Sequence, residues 1–350
     1  MSVRMAQQFS LFAAPDPASQ SEPEKASARQ KSSHSFDPET LPIPPKLGIP
    51  TRSFGTSSWV YPGWDGGVYR SVKAYGASSR FSDLCLAEYA RNSLFRSAGA
   101  DNMYYVRPSQ RRKLLQKYAS QLRHLPEKVE LCPKVFHELS VSRYTPQQQA
   151  EWRLLDEINP HFLDPRLFLE EVAQPLCDEL GELLGPLILE LQENDIHEAD
   201  FCRLLDHFLQ QVRKQFSGPL SVELRTESHF TSRYLSVLAT HGVSHVLNSW
   251  TKMPSIGQQF ALLQQSQAKW PFYLLRALLP QGVRYAEASK WAPYDRLRVR
   301  ADSVRKDMLQ VLRSLKVEEK AYVLVNNHLE GHAPTTVAEI QHELFSTDSL

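Results

Sequence analysis

No apolar run in this 350-residue chain approaches the roughly 20 residues that a membrane-crossing helix needs, so no membrane role is expected. The N-terminal "FSLFAA" is too short for the apolar centre of a secretory signal. Asp16, Glu22 and Glu24 make the same region too acidic for an organelle transit peptide. The expected location is the cytoplasm. Cysteine is scarce: residues 85, 132, 177 and 202 form neither a CxxC pair nor a Cys/His cluster with zinc spacing, which leaves reduced, mostly buried thiols. There is no GxGxxG dinucleotide fingerprint, no GxxxxGK phosphate loop, and no HxH or HExxH pair, so no cofactor or metal follows from the sequence. Net charge is nearly absent as well. At +1 the chain has no global attraction for nucleic acid or anionic lipid, and any polyanion site must come from local asymmetry.

What is present is the balance of a globular protein, 42% hydrophobic and 23% charged residues, enough to build a large core. Residues 1–50 stand apart. They are rich in Pro, Ser, Ala, Gln and Glu, carry no apolar period, and read as a disordered arm ahead of a domain over 51–350. Beyond it, apolar runs of strand length alternate with helical patterns. The strands expected are "RSFGTS", "SAGADNMYY", "KVELCPK", "PLILEL", "PLSVEL", "VSHVLNS", "PFYLLRAL" and "KAYVLVNN". In "SQRRKLLQKYASQL" Ser109 is a candidate N-cap, with Leu114, Leu115, Tyr118 and Leu122 on one face. In "DPRLFLEEVAQPL" Asp164 is the candidate cap and Pro165 the first helical residue. Eight strands alternating with helices predict an α/β fold, a single (β/α)8 TIM-like barrel, with an open doubly wound sheet as the alternative. The helical signal weakens over 140–165 and 248–270, on strand-to-helix loops where barrels carry functional elaborations.

Charge is uneven along the chain. Residues 107–134 hold eight Lys/Arg against two acids, 284–306 seven against three, and 151–210 fifteen acids against three Arg. These are solvated helix faces or a basic rim around a site.

Polar residues gather where the strands stop: Thr56 and Ser57, Asp101 and Asn102, Lys134, Glu190, Glu223 and Arg225, Asn248, Arg276, Asn326 and Asn327. In a barrel these converge on one mouth. Buried charges there would need partners, so Lys134 with Glu190 or Glu223, and Arg225 or Arg276 with the other acid, are expected to pair. The same pairing describes an ion network that only closes the barrel top. As a site, Arg225 and Arg276 suit a phosphate or carboxylate, and Asn326 and Asn327 suit sugar or base edges. Glu223 or Glu190 is the candidate general base, with Lys134 as acid or charge stabiliser. Asp101, Asn248, Tyr105 and Trp59 complete the candidate binding set, the aromatics as stacking platforms or as packing.

Several motifs carry a resemblance. "FGTSSWVYPGWDGGVYR" resembles the GTSGW-SY-GW-G-FYP opening of the YecE-like family, catalogued as a domain of unknown function. "LAEYARNSLFRSAGADNMYYVRPS", "LCPKVFHELS", "GPLILEL", "SVELR", "NSWTKMP", "RYAEASKWAPYDRL" and "VLVNNHLEGHAP" are similar to later segments, over about residues 52–345. The resemblance implies a TIM-like barrel and supplies no reaction. It maps the family's strand-end Lys, Glu-x-Arg and Asn-Asn onto Lys134, Glu223 with Arg225, and Asn326 with Asn327. The chain departs from the family at Gly99 and Asp101, where Glu and Asn are common, at Glu190 for Gln, and at Thr226 and His229 for His and Trp. It also lacks the His that follows the seventh-strand Arg. These departures imply a diverged member. The expected function is a hydrolase- or lyase-like enzyme on a phosphorylated, sugar-containing or nucleic-acid substrate, or a non-catalytic accessory protein in DNA transactions. "QFSLF" resembles the pentapeptide that binds the bacterial sliding clamp: Gln8, Leu11 and Phe12 are its candidate anchors.

Overall fold

In the computed structural model, residues 37–106, 108–152 and 157–346 are described. Eight strands follow in chain order: β1 (Arg52–Thr56), β2 (Ser97–Ala100), β3 (Glu130–Pro133), β4 (Leu187–Leu191), β5 (Leu220–Leu224), β6 (Ser244–Asn248), β7 (Tyr273–Ala277) and β8 (Ala321–Val325). A main helix succeeds each: α1 (Ser78–Arg91), α2 (Pro108–Leu122), α3 (Gln174–Leu180), α4 (Glu198–Arg213), α5 (Ser232–Thr240), α6 (Ile256–Gln265), α7 (Asp302–Ser314) and α8 (Ala333–Phe345). All strand pairings are parallel. Six strands run in the order β1-β8-β7-β6-β5-β4, and β2 pairs with β3.

Two seams join these sheets into the (β/α)8 arrangement. Between β3 and β4, Leu131 bridges Leu184 and Lys134 bridges Ile188. Between β1 and β2, the Arg96 amide donates to Phe54 O at 2.8 Å and the Asp101 amide to Ser57 O at 3.3 Å. Glycine makes that second approach possible. A Cβ at Gly55 would lie 2.1 Å from Ser97 O, and one at Gly99 2.9 Å from Ser57 Cα. The open doubly wound alternative is therefore set aside.

Strand alternation decides what fills the barrel. Cys132, Ile188, Val246, Leu274 and Leu324 form one buried apolar cluster with Phe272 and Tyr322. Two residues further along the same strands stand Lys134, Glu190, Asn248, Arg276 and Asn326. The period of two puts these polar groups on the same inward face, one step nearer the C-terminal mouth. The apolar residues between them, such as Leu189, Leu247, Leu275 and Val323, face the helices and belong to the larger outer core.

Three local expectations changed. β2 ends at Ala100, and Asp101–Tyr105 forms a 3-10 turn in which the Asp101 side chain pairs with Arg276 and the Asn102 amide donates to Tyr118 Oη at 2.6 Å. Helix α2 begins at Pro108, so Ser109 lies within its first turn and is not its cap. Residues 248–270 contain α6, started by a capping box between Ser255 and Gln258. Its glutamines blur the amphipathic pattern while Ile256, Phe260 and Leu263 bury its inner face. The expected cap at Asp164 is present, accepting from the Arg166 and Leu167 amides. Ahead of β1, Lys46 donates to Asn92 O at 2.7 Å and also to Ala90 O, and the Leu47 amide bonds Ser93 O at 2.9 Å. Among the described residues no helix is long and apolar enough to cross a membrane.

Candidate functional site

Six charged side chains from five strand ends meet beneath the mouth. Lys134 Nζ lies 2.7 Å from Glu190 Oε1, and Arg225 Nη2 lies 2.6 Å from Glu190 Oε2. Arg276 Nη1 reaches Glu190 Oε2 at 3.1 Å and Glu223 Oε2 at 2.5 Å, and its Nη2 pairs with Asp101 Oδ2. Arg225 Nη2 is 2.8 Å from Glu223 Oε1, close enough for ion pairing but not aligned as a hydrogen bond. Three cations thus face three anions, so the buried set is neutral without any ligand. That balance is what allows so many charges to leave water.

Electrostatics keep Glu190 and Arg276 ionised. Burial pushes the Glu190 carboxyl upward, but Arg225, Lys134 and Arg276 outweigh it and hold the group well below the usual carboxylate range. Burial likewise disfavours the Arg276 cation, and Asp101, Glu223 and Glu190 together raise its pKa instead. Glu190 is therefore an anion at neutral pH.

Above the ions lies a cavity of about 280 Å³. Asp101, Lys134, Glu190, Arg225 and Arg276 line it, with Ser57, Ser58, Asn102, Gln148, Gln192, Asn326, His328, Tyr61, Tyr104, Tyr105, Trp250, Tyr285, Leu278 and Leu279. Two cations rest against aromatic faces: Lys134 Nζ is 4.1 Å from the Tyr104 ring centre, and Arg225 Cζ 4.2 Å from that of Trp250. The rest of the lining is uncharged. Burial raises the phenol pKa of Tyr61 and of Tyr285, so both keep their protons. Burial also lowers the His328 imidazole to about 4, leaving a neutral ring bonded to Tyr294 Oη at 2.9 Å.

Of the residues picked out in the sequence, Lys134, Glu190, Arg225, Arg276, Asp101, Asn326 and Tyr105 line this cavity. Glu223 lies underneath, fully buried against both arginines. Asn248 is buried below the mouth, donating to Leu224 O and Val246 O. Asn327 accepts from the Ala333 amide at the start of α8. Trp59 packs edge-on against Tyr118, 4.9 Å between ring centres. Gln8, Leu11 and Phe12 lie outside the described residues. His328 and Tyr285 were not anticipated as site residues, since each follows a loop or strand end where no period applies. No group of three or more His, Cys, Asp or Glu among the described residues could hold a metal.

Among the described residues of the basic stretch 107–134, Lys134 alone lines the cavity. Arg111 pairs with Glu138 at 2.9 Å, while Arg112, with Asp178 at 2.8 Å, and Lys128, with Glu182, meet the acidic stretch.

A family model described as "Protein of unknown function DUF72" matches residues 53–349. A DUF72 family protein from Thermotoga maritima superposes with a TM-score of 0.50 at 17% identity, covering 85% of this chain and 99% of the other. One from Enterococcus faecalis V583 gives 0.53 at 16% identity, covering 84% and 95%. At such identities these likenesses speak for the fold alone. No curated protein matches the chain.

Proposed function

The chain belongs to the DUF72 family, the family of YecE-like proteins, and on that premise we propose that its mouth binds a compact, hydroxyl-bearing small molecule of sugar or sugar-phosphate type. The observation that carries this reading is the layering of the cavity. A charge-neutral floor of fixed donors and acceptors lies beneath walls of tyrosine, tryptophan, histidine and side-chain amide. Such walls suit hydroxyls and the apolar faces of a sugar ring. A volume of about 280 Å³, at the small end of ligand sites, favours a compact ligand over a length of nucleic acid.

The chemistry this arrangement supports is cleavage of a hydrolase or lyase kind. Lys134 is the proton donor or the charge stabiliser, since its ammonium borders the cavity. Glu190, held ionised, orients Lys134 and has no proton to give. Glu223, out of reach below, acts as a positioning residue for Arg225 and Arg276. Equilibrium dialysis against a panel of sugars, sugar acids and sugar phosphates, read by mass spectrometry, tests the binding. Wild type should deplete particular compounds, and Lys134→Met with Arg225→Met should not. Identical depletion by both proteins would overturn the reading.

A separate proposal rests on sequence alone. We propose that Gln8, Leu11 and Phe12 dock into the groove of a bacterial sliding clamp, which would bring the barrel to DNA as an accessory factor. A labelled peptide of residues 1–20 should bind purified clamp at micromolar level, roughly −8 kcal/mol. Leu11→Ala with Phe12→Ala should abolish it, and failure of both peptide and whole protein to bind would end the proposal.

A further inference from the structure

We infer that the mouth is dipolar: it takes a ligand presenting a hydrogen-bond donor, such as a hydroxyl, to Asp101 and an oxyanion to Arg225. This rests on the reading of the mouth as a small-molecule site and narrows its substrate to a sugar phosphate or sugar acid.

Five of the six charges form a chain of contacts, Asp101 to Arg276, Arg276 to Glu190 and Glu223, and these to Arg225, and Lys134 joins it as a branch at Glu190. Among its interior members Glu190 is committed on both oxygens, while Glu223 Oε1 and Arg276 Nε also lack hydrogen-bond partners but sit on side chains at most 1% exposed. Glu190 Oε1 takes Lys134 and the Gln192 amide at 2.7 Å, and Oε2 takes both arginines. Glu223 is fully buried and absent from the cavity wall. The two ends are not committed. Asp101 uses only Oδ2, and its Oδ1, itself buried, has no hydrogen-bond partner, although the side chain as a whole, 24% exposed, is the most open of the six. Arg225 uses only Nη2, and Nη1 has no partner although the side chain is 6% exposed.

These ends differ in sign and in strand. Asp101 follows β2 and Arg225 follows β5, and both line the cavity. A desolvated guanidinium N–H without an acceptor is costly, and an oxyanion is its strongest complement. A carboxylate oxygen left unpaired accepts only donors, so a phosphate or carboxylate is repelled there and a hydroxyl is drawn in. Asn102 Oδ1, also without a partner and also in the wall, repeats the demand for donors at the Asp101 end. Tyr61 and Asn326 border the same cavity as neutral contacts for a chain of hydroxyls between the poles.

Calorimetric titration with inorganic phosphate, ribose and ribose 5-phosphate tests this on three full-length proteins: wild type, Asp101→Asn and Arg225→Lys. Asn keeps an acceptor for Arg276 and turns the open acceptor into a donor. Lys keeps a cation for Glu190 and Glu223 and removes the second guanidinium nitrogen. Thermal melts within a few degrees of wild type establish that the variants are folded. Wild type should bind ribose 5-phosphate most tightly. Arg225→Lys should weaken phosphate and ribose 5-phosphate about tenfold and leave ribose unchanged. Asp101→Asn should weaken ribose and ribose 5-phosphate about tenfold and leave phosphate unchanged. Wild-type binding in which both variants affect all probes alike, or affect none, would overturn the dipolar inference and leave the small-molecule reading standing. Absence of wild-type binding to all three would overturn both.

Discussion

Individual side chains differ in how much a charge is worth here. Glu223 is fully buried between two arginines, so Glu223→Gln leaves three buried cations facing only Glu190 and Asp101 and should lower stability by about 3 kcal/mol. The exposed pair Lys252–Glu193 is the contrast, and Glu193→Gln should cost less than about 1 kcal/mol. Chemical denaturation of both variants checks the difference. His245 is a second buried group: burial lowers its pKa from 6.5 to about 4, and it rests between Tyr234 Oη and Gln259. Its folded form binds fewer protons than the unfolded chain between those values. Stability should therefore fall as pH drops from about 6.5 to 4, by up to about 3 kcal/mol for this group, and His245→Gln should flatten that slope. Lys134, Glu190, Arg225 and Arg276 were legible because alternation fixes which residues of a strand share a face. Tyr285 and His328 were not, because each sits on a one-turn helix after the strand has ended.

Elements are tied together by backbone approach and by charge. Gly99 carries the β1–β2 seam, and a methyl group there meets the Ser57 backbone, which cannot swing aside as a side chain can. Gly99→Ala should cost about 2 kcal/mol or more, read by thermal unfolding. The uneven charge of the sequence found its reason at this level too. The basic face of α2 meets the acids of α3, so two stretches that looked like separate patches cancel across a helix pair. Pattern along the chain could not reveal that, because pairing depends on which helices become neighbours. The extended segment before β1 belongs to the same account. Lys46, its pKa lowered to about 8 by burial, ties residues 41–50 to the end of α1. Removing residues 1–36 should leave the melting temperature nearly unchanged, while removing 1–50 should lower it by several degrees.

At the scale of the molecule, the strand count, the order of strands and helices, and the polar crown at the C-terminal ends were all readable, because each follows from periodicity. The cavity itself was not, since it needs residues that follow all eight strands to stand around one space. As a proposed ligand site, that space is tested by what occupies it. The most direct measurement is a crystal structure of the protein grown with the sugar or sugar phosphate that it retains most strongly in dialysis. That compound should lie in the mouth, with an oxyanion on Arg225 and hydroxyls toward Asp101 and Asn102. The same compound bound on another face, with the mouth unchanged and holding only water, would contradict the proposal.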